Sequence, residues 1–99
     1  SDAILAFNSG QTLAGLFLLR VFIEQYAKSV AGEGKADEII LRYSDGLPTD
    51  FKERFPSLYK IYSDLSGSIH SANPDEELFN QSLADITTHF KAKQLFKLP

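Results

Sequence analysis

Arg20 and Glu24 stand one helical turn apart in the segment that forms the most apolar predicted helix of the sequence. Charged groups in apolar surroundings need partners, because an isolated buried charge is very costly. The simplest interpretation is an ion pair within one helix. Arginine before glutamate is the weaker order for such a pair in an isolated helix. A polar pair that faces a cleft or a dimer interface is therefore a second interpretation.

Ser66 and His70 form a second pair at the same spacing. A serine beside a histidine is the arrangement of a nucleophile and its general base, but no acid is placed to orient the imidazole. A histidine near a helix end also stabilises the terminal carbonyl groups. The pattern therefore favours a helix-terminal role for His70 over hydrolase chemistry.

Asp85 and His89 have a spacing that metal ligands use, but a third ligand is missing nearby. A solvated surface pair is the favoured interpretation. The chain has no cysteine, and both the Walker A and the dinucleotide-binding glycine patterns are absent. The sequence thus predicts neither a metal site nor a cofactor.

The charge balance of the chain gives no general attraction for nucleic acid, since its 99 residues carry a net charge of −3. Lysines cluster near the C-terminal end, at Lys91, Lys93 and Lys97. Complementing a helix dipole explains them as well as contact with a phosphate backbone does. Nucleic-acid binding therefore stays open without being indicated.

Glycines and prolines divide the chain into helical segments, and no segment shows the period-two alternation of a strand. We predict a first helix over about 2–30 with a break at Asn8–Gly10, and a second over 35–43. Thr49 is predicted to cap a third, Pro56 to lie in the first turn of a fourth, and Asn73 to cap a fifth that begins at Pro74.

The first predicted helix is apolar on almost every side. Such a helix is covered either by its own fold or by a partner, and a chain of 99 residues buries a modest core. We therefore expect a homodimer, or contact with other domains of a longer protein of which residues 1–99 form a single, C-terminal helical domain. The candidate interface residues are Leu16, Phe17, Leu19, Phe22 and Tyr26.

The longest apolar run, 13–23, is shorter than the roughly 20 residues that cross a bilayer. No membrane association is therefore predicted. The lack of cysteine fits a reducing compartment, so we expect a cytoplasmic protein.

Three stretches, taken in order, resemble the HEPN-like all-helical superfamily and especially its members of unknown function. They are 8–15 with the following Leu19-Arg20 and Ile23-Glu24, then 39–48 with its Gly-x-Pro turn, then 62–70 ending in a histidine. The resemblance implies an all-α, up-and-down bundle of four main helices with short connecting helices, and a homodimer.

Active HEPN ribonucleases carry an arginine before the family's histidine, with four to six residues between the two. The histidine matches His70, but the arginine positions hold Ser63, Asp64 and Leu65. The resemblance therefore implies a non-catalytic interaction or dimerisation module rather than an enzyme. The alternatives are a metal-independent ribonuclease that uses His70 with Arg20 from another helix, and an accessory domain that binds RNA or DNA.

Overall fold

The computed structural model describes residues 2–99, with side chains described from Ser9 onward. Across these residues the elements are α1 (Asp2–Ala31), α2 (Ala36–Asp45), α3 (Thr49–Arg54), α4 (Leu58–His70) and α5 (Glu76–Leu95). Because 2–99 contains no strand, the predicted all-α class is confirmed. None of these helices has both the length and the apolar character required to cross a membrane.

The predicted break at Asn8–Gly10 is absent, since α1 runs through these positions without interruption. Glycine weakens a helix interior by about 1 kcal/mol relative to alanine, but unlike proline it keeps its backbone N–H donor. A single glycine is therefore tolerated inside a long helix. The helix ends where Gly32 takes a positive φ of 92°.

The start of α5 also differs from the prediction. Asp75, rather than Asn73, is the N-cap, and its carboxylate accepts a hydrogen bond from the amide nitrogen of Leu78 at 2.8 Å. Asn73 lies in the preceding turn, where its carbonyl accepts a hydrogen bond from Ser68 Oγ at 2.7 Å. A carboxylate has the further advantage of a negative charge at the positive end of the helix dipole.

Helices α3 and α4 begin one or two positions from where they were predicted. Thr49 is the first residue of α3 and follows Pro48, so it is not the cap. Pro56 precedes α4, whose N-cap is Ser57; the Ser57 hydroxyl accepts a hydrogen bond from the amide of Lys60 at 3.2 Å.

The hydrophobic core lies between α1, α2, α4 and α5. It is built from residues at helical spacing on one side of each helix. Its buried members are Leu16, Ile23, Ala27, Ile39, Ile40, Tyr43, Leu58, Ile61, Leu65 and Ile86.

Contacts along α1 show how the long helices are directed. The ring of Phe79 packs so closely on Gly15 that a Cβ atom there would lie 2.8 Å from it, and Tyr26 contacts Lys93 further along both helices. Helices α1 and α5 therefore run in the same direction. Four helices that alternate strictly would place them in opposite directions, so the up-and-down order is not confirmed.

Candidate functional site

Three of the sequence-predicted polar residues meet where α1 packs against α4. Arg20 Nε lies 3.7 Å from Glu24 Oε1, and the Arg20 guanidinium also lies over the ring of Phe17, 5.1 Å from its centroid. The hydroxyl groups of Tyr62 and Ser66 complete the cluster from α4. The intrahelical ion pair predicted for Arg20 and Glu24 is therefore present.

Electrostatics in this cluster disfavour ionisation of the tyrosine. Burial raises the pKa of the Tyr62 phenol, and the Glu24 carboxylate raises it further. The Ser66 hydroxyl and the Arg20 guanidinium act in the opposite direction without cancelling the rise. Tyr62 thus stays uncharged, and the opposite charges of Arg20 and Glu24 offset each other at this edge of the helix pair.

His70 lies in the last turn of α4 and is exposed. Its imidazole forms no hydrogen bond, ion pair or ring contact with any residue of the described chain, including Arg20. One turn and a half earlier, Asp64 Oδ2 is 3.0 Å from the Lys60 ammonium. Asp64, which occupies one of the positions expected for the arginine, is therefore an acidic residue in an ion pair with a lysine.

One face of α1 exposes large apolar side chains to solvent. Leu18 is 65% exposed, and Phe17 and Phe22 are each about half exposed. The three residues, with the half-buried Val21 between them, are spaced so that they share one side of the helix. Single exposed apolar residues are ordinary, whereas a contiguous group marks an interaction site.

The apolar face continues onto α5. Leu83 is about half exposed and shares a helix face with Phe79 and Phe90, at three-and-four spacing. Phe90 meets the ring of Phe22 edge to face, with centroids 5.8 Å apart. We call Phe17, Leu18, Val21, Phe22 and Leu83 the α1 surface.

The other predicted interface residues are less accessible. Leu16 is fully buried in the core of its own chain, so it is not available to a partner. Leu19 and Tyr26 are partly buried and pack against that core. Leu18 was not predicted as an interface residue, because in a helix that is apolar on all sides the sequence pattern does not distinguish the exposed side from the buried side.

A buried polar network, which the sequence did not indicate, lies between α2 and α5. His89 is completely buried, and its Nδ1 is 2.7 Å from the carbonyl oxygen of Pro56. Because a carbonyl only accepts, Nδ1 carries the proton and Nε2 has the lone pair. Tyr43 Oη, 2.7 Å from Nε2, is therefore the donor. The predicted solvated pair with Asp85 is wrong, since the Asp85 carboxylate instead accepts from Gln81 Nε2 at 2.9 Å.

Lys93 extends this network to α1. Only 4% of the residue is exposed, and its ammonium group donates to the hydroxyl of Tyr26. Aromatic faces surround the charge, with the Tyr26 and Tyr43 centroids 4.8 and 5.1 Å from Nζ. Lys93 therefore differs from a lysine that contacts a phosphate backbone at the surface, because cation–π contacts stabilise its buried ammonium.

Metal binding finds no support in the part of the chain with described side chains. No group of three histidine, aspartate or glutamate side chains there is close enough to hold an ion. Comparisons with protein-family models, with curated proteins and with solved structures find no match to this chain.

Proposed function

We propose that this chain is a non-catalytic interaction module of a cytoplasmic protein, with a HEPN-like helical arrangement, and that it forms a homodimer through the α1 surface. The observation that carries the proposal is the contiguous exposure of Phe17, Leu18 and Phe22 on a helix whose other side builds the core. Monomeric proteins rarely leave such a group uncovered.

The charged residues at the edge of the α1 surface favour a second copy of this chain as its binding partner. Arg20 and Glu24 carry opposite charges one turn apart beside Phe17, and both remain partly exposed. In a twofold dimer the same patch meets itself. With the two copies of α1 antiparallel, the cation of each patch faces the anion of the other. A surface with this arrangement is self-complementary, whereas an unrelated partner would need a matching charge pattern of its own.

The size of the surface sets the expected strength of the dimer. Completing the burial of a half-exposed leucine or phenylalanine contributes about 1 kcal/mol. The four exposed side chains of the α1 surface, counted in both copies, then contribute ~8 kcal/mol together, which exceeds the lowest cost of association, about 4 kcal/mol, by only a few kcal/mol. We therefore expect a weak dimer that forms at high micromolar concentration.

Sedimentation equilibrium over a concentration series tests this proposal. Leu18→Glu places a charge at the centre of the α1 surface, and we expect it to remove the dimer. The matched control is Leu95→Glu, since Leu95 is 80% exposed at the far end of α5 and should leave the dimer unchanged. A wild-type chain that stays monomeric at several hundred micromolar would count against the proposal.

The absence of an arginine at positions 63–65 supports a role without catalysis. A ribonuclease must stabilise the negative charge that develops on phosphorus, typically with a preorganised cation. One of the positions expected for that arginine holds Asp64 instead, which forms an ion pair with Lys60. Incubation with structured RNA, in parallel with His70→Ala, checks this part of the proposal: cleavage by the wild type that the variant loses would overturn it.

A further inference from the structure

A cavity of about 270 Å³ lies beside the C-terminal ends of α1 and α5, away from the α1 surface. Its walls include the apolar side chains of Val30, Leu47 and Leu98. Two cationic residues, Arg42 and Lys93, also line it, together with the aromatic side chain of Tyr43. No acidic side chain belongs to the lining.

The charge of Lys93 is not balanced inside the protein. No carboxylate lies within ion-pair distance of its ammonium group in the described part of the chain. One of its three N–H donors is used by Tyr26, and the remaining two meet no acceptor among the described side chains. Buried charges are normally paired, because desolvation is costly. The ring contacts reduce this cost without supplying a negative charge.

Arg42 adds a second positive charge at the same cavity. Its Nη1 donates to the carbonyl oxygen of Ala31 at 2.6 Å, so the guanidinium is held beside the end of α1. Carbonyl groups satisfy donors but do not neutralise the charge. The cavity therefore combines an excess of positive charge with apolar walls, which is the pattern of a site for an anion with an apolar body.

We propose that this cavity binds a small monocarboxylate, with its carboxylate at the Lys93 ammonium group and its hydrocarbon chain against Val30, Leu47 and Leu98. The volume limits the ligand's size. A water molecule takes a share of about 30 Å³ of the liquid, so 270 Å³ accommodates about nine groups of that size. A short-chain carboxylic acid fits this space.

Two probes of equal length separate the charge from the apolar chain. Hexanoate and hexan-1-ol are titrated separately into the ¹⁵N-labelled wild-type chain at constant ionic strength, and the amide chemical shifts are followed. We expect saturable shifts at Gly46, Leu47 and Leu98, with hexanoate binding at least tenfold more tightly than the alcohol. Equal affinities, or shifts confined to other parts of the chain, would overturn the proposal.

Lys93→Met keeps an unbranched side chain that is one atom shorter and removes its charge. It should weaken hexanoate binding at least tenfold and abolish the preference over hexan-1-ol. Lys91→Met is the matched control, since Lys91 is exposed on the same helix and should bind as the wild type does. Wild-type affinity in the Lys93 variant would overturn the proposal.

A second variant keeps the test independent of the contact between Lys93 and α1. Leu47→Trp enlarges a wall residue of the cavity without altering any charge. It should weaken the binding of both probes at least tenfold, because it fills the space that their chains occupy. Unchanged binding in this variant would place the ligand elsewhere and overturn the assignment.

Discussion

Tyr43 donates a hydrogen bond to Nε2 of His89, and the two residues are 46 positions apart in the chain. The imidazole in turn donates to the carbonyl of Pro56. The imidazole of His89 in α5 thereby forms hydrogen bonds both to α2 and to the segment that precedes α4. A buried polar group that is fully paired in this way specifies how the helices are arranged, and it is costly to leave half paired.

Replacing Tyr43 by phenylalanine should lower the free energy of unfolding by about 1–3 kcal/mol, because His89 Nε2 would stay buried without a donor. Urea denaturation measures the change. Tyr59→Phe is the matched control, since the Tyr59 hydroxyl makes no hydrogen bond to a described residue, and it should cost less than about 0.5 kcal/mol. Equal effects of the two variants would contradict the assigned role of the hydrogen bond.

Stability should fall as the pH is lowered from 7.5 to 5.5. Burial lowers the pKa of His89 below the ordinary value of about 6.5, the hydrogen bond to Pro56 opposes this shift, and the charge of Lys93 adds to it. Between the two pKa values the unfolded chain binds a proton that the folded chain does not. Unfolding is therefore favoured there by up to about 1.4 kcal/mol per pH unit.

Urea denaturation at several pH values, on the wild type and on His89→Gln, checks this expectation. The variant should be less stable throughout, yet its stability should change much less across the same interval. If the stability of His89→Gln changed with pH as steeply as that of the wild type, other groups would be responsible for the pH dependence.

Alanine substitution should have opposite effects at two glycines within helices. At Gly15 the new Cβ would lie 2.8 Å from the ring of Phe79, so we expect a net loss of about 1 kcal/mol after the gain in helix propensity. At Gly67 no atom lies within 4 Å of the new Cβ, and a gain of up to about 1 kcal/mol should result. Thermal unfolding distinguishes the two, and a stabilised Gly15→Ala would show that the helices do not approach so closely.

Removing the cap of α5 should cost about 1 kcal/mol in Asp75→Ala, because the amide of Leu78 would lose its acceptor. Asn73→Ala, which leaves every assigned hydrogen bond of that turn in place, should cost less than half as much. Chemical denaturation of both variants is the measurement. A larger loss at Asn73 would restore the boundary predicted from the sequence.

The sequence was sufficient for the helical class and for most boundaries, because glycine and proline interrupt the pattern close to the observed helix ends. It was insufficient for α5, whose buried side includes Ser82, His89 and Lys93 beside Ile86, while the apolar Leu83 is about half exposed. The partners of His89 and Lys93 are Tyr43, Tyr26 and a carbonyl from distant segments, and such pairing is not visible in the local pattern of polarity.

The candidate surface was predicted in part for a similar reason. Hydrophobicity identified α1 as the helix with more apolar residues than one core needs, but the number of neighbouring helices decides which side remains open. Leu16 and Leu18 are two positions apart and of the same residue type, yet one is fully buried and the other largely exposed. Only tertiary packing separates them.

The bond from Arg42 to the carbonyl of Ala31 spans 11 positions, and this short span has a kinetic consequence. Contacts between near neighbours in the chain close small loops and form early, whereas pairings across a long separation form late. The turn between α1 and α2 should thus belong to the folding nucleus, and Arg42→Gln should mainly slow refolding. Tyr43→Phe should mainly accelerate unfolding. Stopped-flow measurements should therefore show a changed folding rate constant for the Arg42 variant and a changed unfolding rate constant for the Tyr43 variant, although the two residues are adjacent.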